Sequence, residues 1–388
     1  MKETYTFARG RDEKRSRPSI LIIVFTFVVV SITGYKYWVQ YDIASASSTS
    51  PWEPYASNPV MPDSDHEDYL GTVYDVSVLY EEGTWKMYCS WSRNGTISYS
   101  TSYDGFTWDQ NLQLSLGGLV GSKWETIVNR PFVLKRATGD YLMWYTGQIE
   151  RKNMGGKLGF ARSWNGIQFS RAGRAAHPLM LIAELSPVIV ADLPWERYDA
   201  VMTPCVIELP NGVLRLYYSG GEWYEPDAIG AAHSYDGGRT WVKQGDPIFY
   251  PDPTSKHDNY KVTSPHVLFH DGWYYLFYSG FRGCDLQCVQ LTNEDLDHAT
   301  VNLARSKDGL TNWEASVENP IIQPERKRGS WNCDAVYKPV VLYDEEHSQW
   351  LLWYNGRCGY LEMIGMSTLK GSFGRFVKRA PHADALWY

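Results

Sequence analysis

The sequence predicts an all-β fold, a five-bladed β-propeller, and three observations carry that expectation. A turn motif recurs five times, two strand-like runs precede each copy, and the composition supplies the residues such strands need. The 388 residues include 17 Trp, 28 Tyr and 13 Phe, with 44% hydrophobic and 21% charged side chains. So much buriable surface excludes a disordered chain. The 33 Gly and 20 Pro, with few long helix-forming runs, argue against a helical bundle.

The N-terminal elements differ from the rest. Residues 1–17 carry six basic side chains against three acidic ones, a net of +3 within an overall −7, and read as a cytoplasmic tail. Residues 18–39 hold no charge between Arg17 and Lys36, which matches the ~20 apolar residues of a membrane-spanning helix. Tyr35, Tyr37 and Trp38 suit the far interface, and the basic tail orients the remaining chain toward the lumen or exterior. Ala44-Ser45-Ala46 resembles a signal cleavage site, but the apolar run is long for a signal peptide. A linker follows over 40–66, with Ser47-Ser48-Thr49-Ser50 and several Pro.

The propeller is expected over 67–388. Its turn motif reads Ser102-Tyr103-Asp104-Gly105, Ser163-Trp164-Asn165-Gly166, Ser234-Tyr235-Asp236-Gly237 and Ser306-Lys307-Asp308-Gly309, with a weaker copy at Gly371. Upstream of each copy lie a first run (Val76–Tyr80, Pro131–Leu134, Pro204–Ile207, Pro265–Leu268, Pro339–Leu342) and a second (from Trp85, Tyr141, Leu214, Trp273 and Trp350). Short aromatic and β-branched runs bounded by Gly, Asp or Asn are strands. With a strand after each turn, every unit becomes a four-stranded sheet whose two faces are covered by its neighbours.

Six cysteines are compatible with an oxidising compartment; Cys284 with Cys288 and Cys333 with Cys358 are the pairings considered, and spacing alone does not fix connectivity. No Cys-x-x-Cys or paired-His spacing suggests zinc, so no metal site is assigned. Asn94-Gly95-Thr96 is a glycosylation sequon at Asn94 and also a hairpin-turn signal. The acidic remainder of −10 makes nucleic acid an unsuitable partner.

The turn Ser234-Tyr-Asp236-Gly-Gly-Arg-Thr-Trp241 resembles the Asp-box of sialidases and related propellers, so these acids are expected to brace turns. Strand direction then puts functional residues at the opposite end, just before each first strand or after each second one. Tyr74-Asp75-Val-Ser-Val and Ser264-Pro265-His266-Val267 through Trp273–Gly280 resemble the five-bladed glycoside hydrolases, the arabinanase, levansucrase and invertase superfamily of families 43 and 32. The resemblance covers 67–388 in architecture. It implies a first-blade Asp as base or nucleophile, a third-blade Asp and a fourth-blade Glu. Asp75 fits the first role; Thr203 and Thr263 occupy the other two positions and cannot shuttle a proton.

Hydrolysis needs two carboxylates, one ionised and one protonated. Substitutes for the missing pair are Asp199 and Asp334, each five residues before a Pro, and Glu222 after a second strand; Glu150 and Asp285 occupy similar loops. The catalytic candidates are thus Asp75, Asp199, Asp334 and Glu222, although inter-blade hydrogen bonding would equally explain the two paired Asp. Arg130, Lys338, Arg282 and Arg357 supply a cationic rim, and Trp91, Trp223 and Tyr337 are candidate stacking platforms. The expected activity is that of a membrane-anchored glycoside hydrolase-like enzyme acting on carbohydrate, with the lipid bilayer holding its N-terminal helix. A non-catalytic glycan- or protein-binding propeller, and a glycosyl-transfer or phosphorolysis enzyme, are the alternatives. No cofactor is required, and a structural Ca2+ in the channel is compatible with this reading.

Overall fold

The computed structural model describes residues 50–62, 72–92, 95–149, 155–172, 186–221, 226–283, 298–327 and 329–379. The expected tail and membrane helix (1–39), the Asn94 sequon, and Glu150, Glu222, Trp223, Cys284, Asp285 and Cys288 lie outside them. No helix among the described residues is long and apolar enough to cross a membrane.

A short strand, β1 (Glu53–Pro54), opens the described chain. Blade one follows with β2 (Val73–Glu81), β3 (Thr84–Trp91), β4 (Thr96–Ser102) and β5 (Gln113–Leu116). Blade two has β6 (Ile127–Lys135), β7 (Tyr141–Gln148), β8 (Lys157–Ser163) and β9 (Ser170–Arg171). Blade three has β10 (Val201–Glu208), β11 (Leu214–Gly220), β12 (Ala228–Ser234) and β13 (Val242–Lys243). Blade four contains β14 (Lys261–His270), β15 (Trp273–Phe281), β16 (Ala299–Ser306) and β17 (Glu314–Ser316), and blade five β18 (Ala335–Asp344), β19 (Gln349–Cys358) and β20 (Leu361–Leu369). Each blade is an antiparallel sheet in chain order. The first strands touch in sequence, β2 with β6, β6 with β10, β10 with β14, β14 with β18 and β18 with β2, so the ring closes on itself.

Two details depart from the sequence expectation. Residues 50–62 are not linker: β1 pairs with β20 as the outer strand of blade five, and Met61 bridges Ile364. Their apolar side chains explain why. Trp52 packs with Phe277 and Phe373, while Val60 and Met61 fill the core between blades five and one. The strand expected after Gly371, β21 (Phe376–Lys378), crosses instead to pair with β17 and makes blade four five-stranded. Arg379 just beyond it donates to Asp258 Oδ2 at 2.7 Å.

The turn acids brace as expected. Asp104 Oδ1 accepts from the amides of Phe106 and Thr107, Asp236 from Arg239 and Thr240, Asp308 from Leu310 and Thr311, and Asn165 does the same job in blade two. Second-strand aromatics then lock each turn to its neighbour. The Trp144, Tyr217 and Trp353 donors reach the carbonyls of Gly238, Gly309 and Gly105 in the adjoining blades at 3.1–3.4 Å. Buried Glu125, Glu196 and Asp258 accept from Tyr145, Tyr218 and Tyr278 and pair with Arg171, Lys243 and Arg379. Those acids are structural because each is held between a phenol and a cation.

Candidate active site at the propeller axis

Every first strand carries one irregularity at the same place. The register slips between Tyr74 and Ser77, Asn129 and Phe132, Met202 and Cys205, Thr263 and His266, and Tyr337 and Val340. Each slip leaves a pair out of the ladder: Asp75-Val76, Arg130-Pro131, Thr203-Pro204, Ser264-Pro265 and Lys338-Pro339. Proline fits because that position needs no ladder N–H. The residue before it is strained. Asp75, Arg130, Thr203, Ser264 and Lys338 have φ of 54, 51, 55, 55 and 53°. Left-handed backbone at a non-glycine residue costs of order 1 kcal/mol, and a bulge re-aims the side chain that it carries.

A second-strand side chain from the preceding blade satisfies each strained amide. Ser90 Oγ accepts from Arg130 N (2.9 Å), Thr146 Oγ1 from Thr203 N (3.1 Å), Ser219 Oγ from Ser264 N (2.8 Å) and Ser279 Oγ from Lys338 N (2.8 Å). Asn355 Oδ1 accepts from Asp75 N at 2.9 Å and completes the circuit across 280 residues of chain. Around the axis the order is therefore Asp75, Arg130, Thr203, Ser264, Lys338, one side chain per blade.

Asp75 is buried and tightly held. Its Oδ2 accepts from Ser90 Oγ at 3.3 Å and lies 3.8 Å from Arg130 Nε, and Asn355 Nδ2 is 3.4 Å from its Oδ1. Lys338 is equally buried; loss of water pushes its ammonium down to about 8, while Asp75 pulls the other way. Cys89 and Cys205 lie near this ring, but burial pushes both thiols up to about 12, so neither is a thiolate at neutral pH. Nearby, His266 Nε2 donates to the Val341 carbonyl at 2.9 Å, and burial lowers the imidazole to about 4, which leaves it neutral.

The second carboxyl is Glu362, which the sequence reading missed. It stands near the start of β20, opposite Arg357 in the ladder, and the Tyr337 phenol donates to its Oε1. Burial pushes this carboxyl up from 4.5 to about 7; Asp75 raises it further, and Tyr337, Arg357 and Arg130 oppose the rise. Tyr74 and Tyr337 are themselves pushed upward by burial and by the fields of Asp75 and Glu362, so both phenols stay protonated. The mutual influence of Tyr74, Asp75, Arg130, Tyr337, Arg357 and Glu362 places them in one cluster, built mainly from blades five and one. It holds a carboxyl that is protonated near neutrality beside a carboxylate in an ion pair, the division of labour that glycoside cleavage needs.

The other sequence candidates are placed differently. Asp199, on a single 3-10 turn before β10, has a side chain 60% exposed and pairs with Lys157 at 3.2 Å. Asp334 precedes β18 and accepts from the Gly359 amide at 2.6 Å, bracing the hairpin that Cys333–Cys358 ties together. No contact described here joins either Asp to Asp75. Trp91 ends β3 with its indole N–H buried and without a partner. Arg282 is exposed just past β15; Arg130, Arg357 and Tyr337 act on Glu362, and Lys338 feels Asp75 and Arg130.

No sequence profile of a known family matches the chain, and no curated protein is similar to it in sequence. Solved structures are similar in fold. A thermostable family-43 glycoside hydrolase matches at 17% identity and TM-score 0.57, over 80% of this chain and 93% of the other. An exo-1,5-α-L-arabinanase from a bovine ruminal metagenomic library matches at 14% and 0.55, over 80% and 97%. A structure from the GH130 family of mannoside phosphorylases, which is described as containing glycoside hydrolases that target β-1,2-mannosidic linkages in Candida mannan, matches at 16% and 0.56, over 84% and 95%. The chain thus has the five-bladed propeller fold found in these glycoside hydrolases.

Proposed function

We propose that this protein cleaves a glycosidic bond in the axial pocket, with Glu362 as the proton donor to the leaving oxygen and Asp75 as the opposing base or nucleophile. The observation that carries the reading is the contrast between the two carboxyls. Glu362 is held protonated up to about pH 7 by burial, while Asp75 sits against Arg130 under two further polar contacts. The likeness in fold to glycoside hydrolases supports a carbohydrate substrate. The test is release of a chromogenic aglycone from a panel of α- and β-linked aryl glycosides. Turnover that survives Asp75→Asn, or none from the unaltered protein across the panel, overturns the assignment.

A second reading, a propeller that binds glycan without turnover, is favoured by Thr203 and Thr263, which replace the carboxylates expected in blades three and four. Saturable glycan binding with no product would decide for it. We also propose that residues 18–39 tether the propeller to a membrane, on its lumenal or external side. The uncharged run before Lys36 and the Cys333–Cys358 disulfide support that placement. Release of the protein from membranes by alkaline carbonate would refute it.

A further inference from the structure

The axial ring contains one charge that the protein does not use. Lys338 is 3% exposed, and among the described residues its ammonium makes neither a hydrogen bond nor an ion pair. A buried ammonium without a direct partner is costly, and the field of Asp75, itself engaged elsewhere, only partly offsets that cost. Asp75 is the carboxylate in the ring, and Arg130, Ser90 and Asn355 already engage it. Following the ring from Arg130 to Lys338 along the arc away from Asp75, the side chains are Thr203 and Ser264. Both are small hydroxyls on buried residues, and neither hydroxyl makes a hydrogen bond among the described residues. Next to Ser264, the buried Thr263 Oγ1 also has no partner. This half of the ring is a run of hydroxyls and one ammonium whose donor hydrogens have no partner among the described residues.

We infer that Lys338, with Arg130 and the hydroxyls of Thr203 and Ser264, forms a seat for an oxyanion, a carboxylate or phosphate, at the floor of the axial pocket. An oxyanion there accepts from the hydroxyls and pairs the buried ammonium, for which charge-assisted hydrogen bonds are the strongest available contacts. Occupancy has two sources: a carboxylate carried by the sugar itself, or free phosphate beside a neutral sugar. The inference deepens the proposed function by naming the substrate's chemistry, and it rests on that reading only in calling the occupant part of a substrate.

Binding is tested on the full chain by isothermal titration with sodium glucuronate, glucose and inorganic phosphate at matched ionic strength. One anion binds at least about tenfold more tightly than glucose, and Lys338→Met abolishes the difference. Tight glucuronate with weak phosphate identifies an acidic sugar; the converse identifies free phosphate. The idea fails if neither anion is preferred over glucose by the unaltered protein, a result that needs no variant to fold. It also fails if a folded Lys338→Met, checked by thermal unfolding, binds the anion as before. Because the readout is binding and not turnover, a protein that proves catalytically inert still reports on the seat.

Discussion

Replacing Glu362 by Gln separates the chemistry of that carboxyl from its packing. The amide oxygen of Gln still accepts from the Tyr337 phenol, so the hydrogen bond survives and only the titration is lost. In the folded protein the carboxyl holds its proton to about pH 7, against an ordinary value of 4.5. A raised acid contributes stability that is complete below the unfolded value and is lost as pH rises through the folded one. Between about pH 4.5 and 7, unfolding therefore becomes easier by 1.36 kcal/mol per unit, up to about 3 kcal/mol in total, with partial solvent access making this an upper bound. Glu362→Gln removes that slope. Denaturant unfolding at pH 5 and pH 8.5 should show the variant gaining on the parent by up to about 3 kcal/mol at the higher pH. Parent kcat/KM should fall as pH rises through about 7, and the variant should lose turnover at all pH values. A stability difference that is the same at both pH values, or a parent profile without an alkaline limb near 7, refutes the assignment of Glu362 as an acid that keeps its proton to about pH 7.

Ser90→Ala removes the hydroxyl that accepts from Arg130 N and donates to Asp75, leaving a buried amide without its partner. The expected loss is about 1–3 kcal/mol in denaturant unfolding, with lower turnover; an unchanged midpoint contradicts the circuit of inter-blade bonds. Reducing Cys333–Cys358, which closes 25 residues, should lower stability by at most about 3.5 kcal/mol, read as a midpoint shift with and without dithiothreitol. Asp308 is held at about 2; burial raises it, but the Thr311 hydroxyl and the Leu310 and Thr311 amides outweigh that effect. Its stabilisation is thus present above the ordinary carboxylate range and lost as pH falls toward 2. Asp308→Asn should therefore destabilise the protein at neutral pH, where Asn keeps the amide contacts as Asn165 does in blade two but loses the charge, and should make little difference near pH 2 by thermal unfolding.

The parts legible in the sequence are those written as local motifs. The turn repeat gave five blades, and the position before each first-strand Pro located Arg130 and Lys338, with Asp75 at the matching place before Val76. Glu362 escaped because it lies inside a ladder. The places after the second strands in blades two to four point to Glu150, Glu222 and Asp285, which lie outside the described residues. In blade five the hairpin turns tightly at Gly359-Tyr360, so the matching place is already strand. The shared spacing of Asp199 and Asp334 did mark equivalent places just ahead of β10 and β18. It could not reveal side-chain direction, which Lys157 captures in one case and the Gly359 amide in the other. The closing strands β1 and β21 have two and three residues, too few for any periodicity.

The positions of Asp75 and Glu362 connect the proposed catalysis to closure of the ring. Asp75 belongs to the first complete blade and Glu362 to the last, so these carboxyls are neighbours only where the two ends of the fold meet. Asn355 spans that seam by holding the Asp75 amide, and Val60 and Met61 pack the hydrophobic core between the same two blades. Trp52 and β1 cover the outside of blade five. A propeller that opened at this seam would keep four blade interfaces intact and still separate the proposed acid–base pair, because neither carboxyl has a counterpart elsewhere in the ring among the described residues. The residues of 50–62 thereby act on the pocket without touching it: by closing the seam, they fix the separation of two groups that lie almost three hundred residues apart along the chain.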